Sequence, residues 1–130
     1  MENKEQVNKL VIERLIQCIN EGKIEVMDEL FHENAVMDWP QSEEKIVGAE
    51  NRRAVYNAFP KLPKITLRRM VCSDDLVVAE ASLDYGTPVI YKSVFIFEMM
   101  DGKIAKETAY WSEPFEAPQW RAKWVEKSNN

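Results

Sequence analysis

The chain is 130 residues long, with 45% hydrophobic, 30% charged and 10% aromatic residues and a net charge of −5. This composition is typical of an ordinary soluble globular chain, and the length suits one domain over residues 1–130. The acidic balance argues against nucleic acid or an anionic membrane as the main partner, and no apolar run approaches the ~20 residues that span a bilayer.

Few residues that bind metals or anions are clustered in the sequence. The pairs Arg52–Arg53 and Arg68–Arg69 do not form a basic stripe, and we assign them to solvated faces. Cys18, Cys72 and His32 cannot build a thiolate zinc site of the usual kind, so we expect no metal. We predict that both cysteines are reduced core residues, which fits a reducing cytoplasm. The N-terminus lacks the apolar core of a signal peptide.

The first 60 residues have the pattern of three helices. Apolar residues recur at three- and four-residue steps over Lys4–Glu21, which predicts an amphipathic helix that ends at Gly22. A shorter helix with apolar inner positions follows over residues 24–31. A third helix begins after Gly48, and Pro60 ends it.

Strands dominate the second half of the chain. Residues 35–39 form a short strand before a polar loop at residues 41–45. Four consecutive strands with short turns are predicted at residues 65–72, 76–85, 89–99 and 104–113. Such a succession indicates an antiparallel meander and an α+β fold with the helices on one face of the sheet.

The C-terminal segment, residues 114–130, carries Phe115, Trp120 and Trp124. Pro118 can open a short helix that places the two tryptophans on one side. Because so much apolar surface is unfavourable in water, we expect this tail to pack on the barrel or on a dimer partner.

A glutamate between small residues stands out in the last strand. Alternate side chains of a strand share a face, so Ala105, Glu107, Ala109 and Trp111 lie together. The alanines leave space and the tryptophan forms an apolar wall. The face itself can line a pocket. Alternatively, Glu107 is exposed beside Lys103 or Lys106, or it is buried and paired with an arginine.

Four segments resemble a known family: FHENAVMDWP (residues 31–40), VGAENRRAVYNAF (47–59), FEMMDGKIAKETAYW (97–111) and PFEAPQWRAKWVE (114–126). On these the chain resembles the SnoaL-like branch of the nuclear-transport-factor-2-like (NTF2-like) superfamily. The resemblance implies a cone, with about three N-terminal helices packed in the concave face of a strongly curved, mainly antiparallel sheet. It does not specify the activity, because this cone hosts isomerases, cyclases, epoxide hydrolases, dehydratases and non-catalytic proteins.

The resemblance to ketosteroid isomerases gives three positions to compare. Their oxyanion-hole tyrosine falls at Leu15, their general-base aspartate at Trp39, and their second aspartate at Val94 or Ser93. None of the three is kept, so steroid isomerisation is not expected unless a bulge moves Asp38 into the pocket. The aspartate that ends SnoaL-type cyclases is replaced here by Ser112, which weakens a transfer of cyclase activity.

The same resemblance implies a pocket that takes a small molecule. Glu107 is the first catalytic candidate, because a carboxylate in an apolar cavity has a raised pKa that suits a general acid or base. Glu80 and Asp38 are further catalytic candidates. The side chains expected to contact the ligand are Trp39, Trp111, Ser82, Ala109, Leu15 and Val94.

The strand that contains Glu80 alternates between two kinds of residue. Val78, Glu80, Ser82 and Asp84 share one face, which we assign to the pocket, and the reverse assignment makes that face solvated. The opposite face consists of Val77, Ala79, Ala81 and Leu83. Members of the family often pair through the outer face of the sheet, so we assign these apolar residues to a homodimer interface.

Two functions remain open on the sequence alone. The first is a cofactor-free isomerase, cyclase or dehydratase that uses a pocket carboxylate on a small, mainly apolar substrate. The second is a non-catalytic homodimeric ligand-binding or accessory protein. The missing tyrosine and aspartates favour the second function, and the carboxylates on faces of small residues favour the first.

Overall fold

The computed structural model describes residues 3–128. These residues contain three α-helices, α1 Lys4–Glu21, α2 Ile24–Met27 and α3 Ala49–Ala58, and 3₁₀ helices at Asp28–Leu30 and Gln119–Trp124. The strands are β1 Phe31–Trp39, β2 Glu44–Val47, β3 Lys64–Ser73, β4 Leu76–Asp84, β5 Ile90–Met100 and β6 Lys103–Ser112. Within the described residues, no helix is both long enough and apolar enough to cross a membrane.

Helix α1 has the predicted limits, and its caps explain them. The Asn3 side chain accepts a hydrogen bond from the Glu5 backbone N–H at 2.8 Å, which satisfies a free donor of the first turn. Gly22 has a φ of 71°, a left-handed conformation. It allows backbone N–H groups at the cap to donate hydrogen bonds to carbonyls of the last turn, those of Cys18 and Ile19. Apolar side chains of α1 pack on the inner face of the sheet, and Cys18 is buried among them.

The six strands form one sheet in the order β2-β1-β6-β5-β4-β3. Strands β3 to β6 are the predicted antiparallel meander, while β1 pairs with β6 in parallel. The loop predicted at residues 41–45 is wrong in part, because Glu44 and Lys45 belong to edge strand β2. The exposed, charged start of β2 has no apolar alternation, and its pairing with β1 is what makes it a strand.

The assignment of the two faces of β4 is wrong. Val77, Ala79, Ala81 and Leu83 are at most 4% exposed and belong to the core beneath α1, so they do not form an outer apolar face. The register explains the error, because Val77 pairs with Phe97 and Phe97 pairs with Glu107. Residues paired across a sheet share a face, so Glu107 and Glu80 lie on opposite faces.

The aromatic tail does not pack on the sheet of its own chain. Its Gln119–Trp124 segment is helical as predicted, but a 3₁₀ helix. Phe115, Trp120 and Trp124 are 79%, 73% and 70% exposed, which contradicts packing on the barrel. Packing on a partner stays a prediction.

Candidate functional site

A mainly apolar pocket lies between the inner face of the sheet, the end of α1, and α3 with the segment that follows it. Its lining comes from α1, from α3 and from every strand except β2. The cavity measures about 60 Å³. Among residues 3–128, Glu107 is the one carboxylate that lines it.

Two tryptophans form a corner of this pocket. Trp39 ends β1 and Trp111 lies near the end of β6, and these strands are parallel neighbours. Their rings meet edge to face, with centroids 5.3 Å apart. Ala109, which is buried between Glu107 and Trp111 on the same face of β6, keeps the space before them open. Trp39, Trp111 and Ala109 thus line one pocket together with Glu107.

Glu107 is held at the centre of the sheet. It pairs with Phe97 of β5 on one side and with Met37 of β1 on the other, and it is 4% exposed. None of the hydrogen bonds or ion pairs found in residues 3–128 involves its carboxylate. Burial raises the pKa of Glu107 to about 7, and the positive charge of Arg52 partly opposes that rise.

A cluster of charges lies near the pocket, where α3 meets the Asp28–Leu30 turn. The guanidinium of Arg52 donates to one carboxylate oxygen of Asp28, and Arg53 donates to the other. Arg52 also lies over the Phe31 ring, with its Cζ 4.2 Å from the ring centroid. Arg53 is partly exposed, whereas Arg52 is 1% exposed.

The assignment of Arg52 to a solvated face is therefore wrong. Ala49 and Tyr56 stand three residues before Arg52 and four residues after it, so helical periodicity places all three on one side of α3. That spacing is the feature of the sequence that could have predicted the burial of Arg52. It does not suffice by itself, because arginine is rarely fully buried unless it is paired, and its partner Asp28 belongs to a distant turn.

Three predicted site residues lie on the outer face of the sheet instead of in the pocket. Glu80 accepts from Nε of Arg69 at 2.6 Å, an ion pair between neighbouring strands. Together with Ser82 and Val94 it lines a separate cavity of about 190 Å³ on the outer face. The cause is the register described above, because Glu80 pairs with Val94, and neither shares a face with Glu107.

Two further predicted site residues do not line the pocket. Asp38 of β1 pairs with Thr108 of β6. It directly follows Met37, which is buried on the inner face, so strand alternation turns the Asp38 side chain to the outer face. Leu15 is buried within the core of α1 and the sheet. No bulge brings Asp38 inward, since the pairing with β6 is continuous from Val36 to Asp38.

A further cavity, which we call the outer cavity, adjoins the pocket and is distinct from the cavity on the outer face of the sheet. It measures about 350 Å³ and shares three side chains with the pocket: Phe59, Tyr85 and Trp111. Tyr85 and Tyr91 meet edge to face at its wall, with centroids 5.4 Å apart. In the described part of the chain, no group of three or more His, Cys, Asp or Glu side chains is arranged to hold a metal ion.

Comparison with known proteins identifies relatives of this arrangement. Residues 12–107 match the family model described as the SnoaL-like domain. The crystal structure of an NTF2-like protein of unknown function from Burkholderia xenovorans LB400 is 31% identical, with a TM-score of 0.83 over 97% of this chain and 98% of that one. No match is found among curated proteins.

Two more distant structures share the fold. A candidate ketosteroid isomerase from Kribbella flavida is 20% identical, with a TM-score of 0.89 over 98% of this chain and 93% of that one. An epoxide hydrolase of the LEH-like kind from M. tuberculosis is 16% identical, with a TM-score of 0.73 over 85% of this chain and 86% of that one. At these identities the likeness concerns the fold alone.

Proposed function

The chain belongs to the SnoaL-like domain family of NTF2-like proteins, and from this premise we propose that it binds a small, mainly apolar molecule and uses Glu107 as a general acid or base on it. The observation that carries the proposal is a single carboxylate buried in an apolar pocket of the described structure. With a pKa near 7, Glu107 is present in both protonation states at neutral pH. Such a group can both take and return a proton, and acid–base catalysis of this kind contributes typically 10²–10⁴ in rate.

The two cavities indicate which part of a ligand reaches Glu107. The pocket volume of about 60 Å³ is far smaller than the 300–1,000 Å³ of ordinary ligand pockets. The outer cavity of about 350 Å³ is within that range and has aromatic walls. We therefore propose that the reacting end of the ligand enters between Glu107 and Trp111, while a flat apolar body stays among Phe59, Tyr85 and Tyr91.

The proposed reaction is a proton transfer of the isomerase, cyclase or dehydratase kind, without a cofactor. Glu107 removes a proton from one atom of the substrate, and the protonated carboxyl returns it to another atom of the same molecule. One carboxylate suffices for this sequence of steps. Glu80 lies on the opposite face of the sheet, so Glu107 would act alone and not as one of two carboxylates that share a proton.

A test compares the Glu107→Gln variant with wild type on a panel of small cyclic enones, hydroxyketones and epoxides, followed by NMR in D₂O. We expect turnover or deuterium incorporation to fall by about 10²–10⁴, with ligand binding changed only a few-fold. Glu80→Gln is the matched control, because it removes the same charge from the opposite face. Full activity of Glu107→Gln would contradict the role of this residue.

The second candidate function is that of a non-catalytic homodimeric ligand-binding protein. It is favoured by the apolar residues Leu15 and Trp39, which stand where ketosteroid isomerases carry catalytic groups. In the same panel, saturable binding without turnover in wild type would support this candidate.

We further propose that the protein forms a homodimer in a reducing compartment. On the outer face of the sheet, the paired residues Val94 and Tyr110 are 37% and 41% exposed. The tail presents its own exposed aromatic side chains, so one chain offers two apolar surfaces that a second copy can cover. The reducing compartment is supported by the free thiols of Cys18 and Cys72.

A further inference from the structure

Two buried side chains of opposite charge stand out among the polar residues of the core. Within residues 3–128, the buried polar or charged residues are Asn8, Arg52, Ser93 and Glu107. Asn8 and Ser93 are neutral, and the Ser93 hydroxyl donates to the Ala81 carbonyl at 2.8 Å. Arg52 and Glu107 are therefore the acidic and basic side chains that are buried in this part of the chain.

The cluster around Arg52 is not electrically neutral. Arg52 and Arg53 carry two positive charges and share the single carboxylate of Asp28, which leaves one positive charge uncompensated. Arg53 is partly exposed, so water can screen its charge, whereas water cannot reach Arg52. The excess positive charge therefore acts most strongly on groups in the protein interior near Arg52.

The hydrogen bonding of Arg52 is also incomplete. Its Nη2 donates to Asp28, but Nε and Nη1 are buried and have no acceptor among the described protein atoms. A guanidinium in a protein cannot lose its proton to relieve this. Contact with the Phe31 ring compensates only one face of the group. Arg52 is thus a permanent buried cation that lacks a full set of anionic partners.

We propose that Arg52 is the counter-charge of Glu107: its uncompensated positive charge lets the buried carboxyl ionise, so the two residues together set the pH at which the site works. This inference rests on the proposed function, since it concerns the regulation of the same carboxylate. Arg52 stands one helical turn before Tyr56 on the same side of α3, and Tyr56 lines the pocket together with Glu107. Arg52 itself does not line the pocket, so it acts as a positioning residue. Ionisation of Glu107 neutralises the net charge of the four residues Asp28, Arg52, Arg53 and Glu107.

The other groups around Glu107 do not supply this charge. Met37 and Phe97, its neighbours in β1 and β5, are apolar. Tyr56 of α3 faces it as well, and burial together with the charge of Glu107 raises the pKa of that phenol, so Tyr56 stays neutral. The opposing effects on the pKa of Glu107 agree with this arrangement, since burial raises it and Arg52 lowers it.

The experiment is a ¹³C NMR titration of the Glu107 carboxyl in labelled protein without any substrate. We expect a midpoint near pH 7 in wild type. In Arg52→Gln the midpoint should rise by at least about one unit, which leaves at least tenfold less ionised Glu107 at a given pH well below the midpoint. Arg53→Gln is the matched comparison: it removes the same formal charge from the cluster, but at a partly exposed position where water screens that charge, so its midpoint should rise less than that of Arg52→Gln.

A second variant tests the same charge from the other side. Asp28→Asn removes the anion shared by both arginines, so the net positive charge grows and the Glu107 midpoint should fall. This measurement decides the matter if Arg52→Gln does not fold. An unchanged midpoint in a folded Arg52→Gln or Asp28→Asn protein would overturn the inference. Because no substrate is involved, the titration is independent of whether Glu107→Gln loses turnover.

Discussion

Glu107 shows how one residue can combine ordinary strand geometry with unusual acidity. Its position in β6 follows the period-2 alternation that also brings Ala109 and Trp111 to the pocket. The sheet on both sides and the apolar lining remove water from the carboxyl. The charged form is therefore disfavoured, and the raised pKa is a direct consequence of burial.

The same shift predicts a pH dependence of stability. Between pH 4.5 and about 7, the folded protein keeps the Glu107 proton while the unfolded chain has released it. The free energy of unfolding should therefore fall as the pH rises through this window, by up to about 3 kcal/mol from this group. In Glu107→Gln this contribution is absent.

Urea unfolding of wild type and Glu107→Gln at pH 4, 6 and 8 checks the prediction. The variant should gain stability relative to wild type as the pH rises, because it has no carboxyl to ionise. Glu80→Gln is the control, since Glu80 is paired with Arg69 on the outer face and should not reproduce this trend. A constant difference between Glu107→Gln and wild type would show that Glu107 titrates as an exposed glutamate does.

At the scale of secondary structure elements, one side chain of α1 forms two hydrogen bonds with the backbone of β3. Asn20, near the end of α1, accepts from the Ile65 N–H at 2.6 Å and donates to the Ile65 carbonyl at 2.9 Å. The amide thus completes the free edge of β3 as a neighbouring strand would. Ile65 and Ile19 both line the pocket, so this contact also holds the pocket wall in place.

Replacing Asn20 by alanine should lower the free energy of unfolding by about 1 kcal/mol. The variant loses two hydrogen bonds between the side chain and the backbone, at a site that water can partly reach. Gln17→Ala is the control, since Gln17 lies on the same helix and bonds only to exposed Glu21. Thermal or urea unfolding measures both. Equal stabilities of the two variants would contradict the role of Asn20.

For the whole molecule, the exposed tail is the feature that self-association best explains. Three aromatic side chains remain in water after the helices and sheet have packed. We expect sedimentation of wild type to show a dimer at micromolar concentration. The double variant Trp120→Ser, Trp124→Ser should shift the population towards monomer, because the apolar area buried between copies falls.

Leu10→Ser is the control for this measurement. Leu10 is 52% exposed on α1, the helix that packs on the inner face of the sheet. It should leave the association unchanged. A monomeric wild type, or equal effects of Leu10→Ser and the tail variant, would contradict the proposed interface.

The sequence by itself determined the elements that depend on local periodicity and turns. Helix α1, the four-strand meander and the alternation that places Glu107 with Trp111 follow from spacing alone. These features are encoded within a few residues of each other. The amino-acid sequence alone is therefore sufficient to predict them.

Only the tertiary structure decided which surface each pattern faces. Alternation in β4 separates Glu80 from Val77, but the register with β5 and β6 puts Val77 on the side of Glu107 beneath α1. Likewise, Arg52 is buried because Asp28, 24 residues away, supplies its partner. Both outcomes depend on contacts between distant segments, whose energies do not appear in any local stretch of sequence.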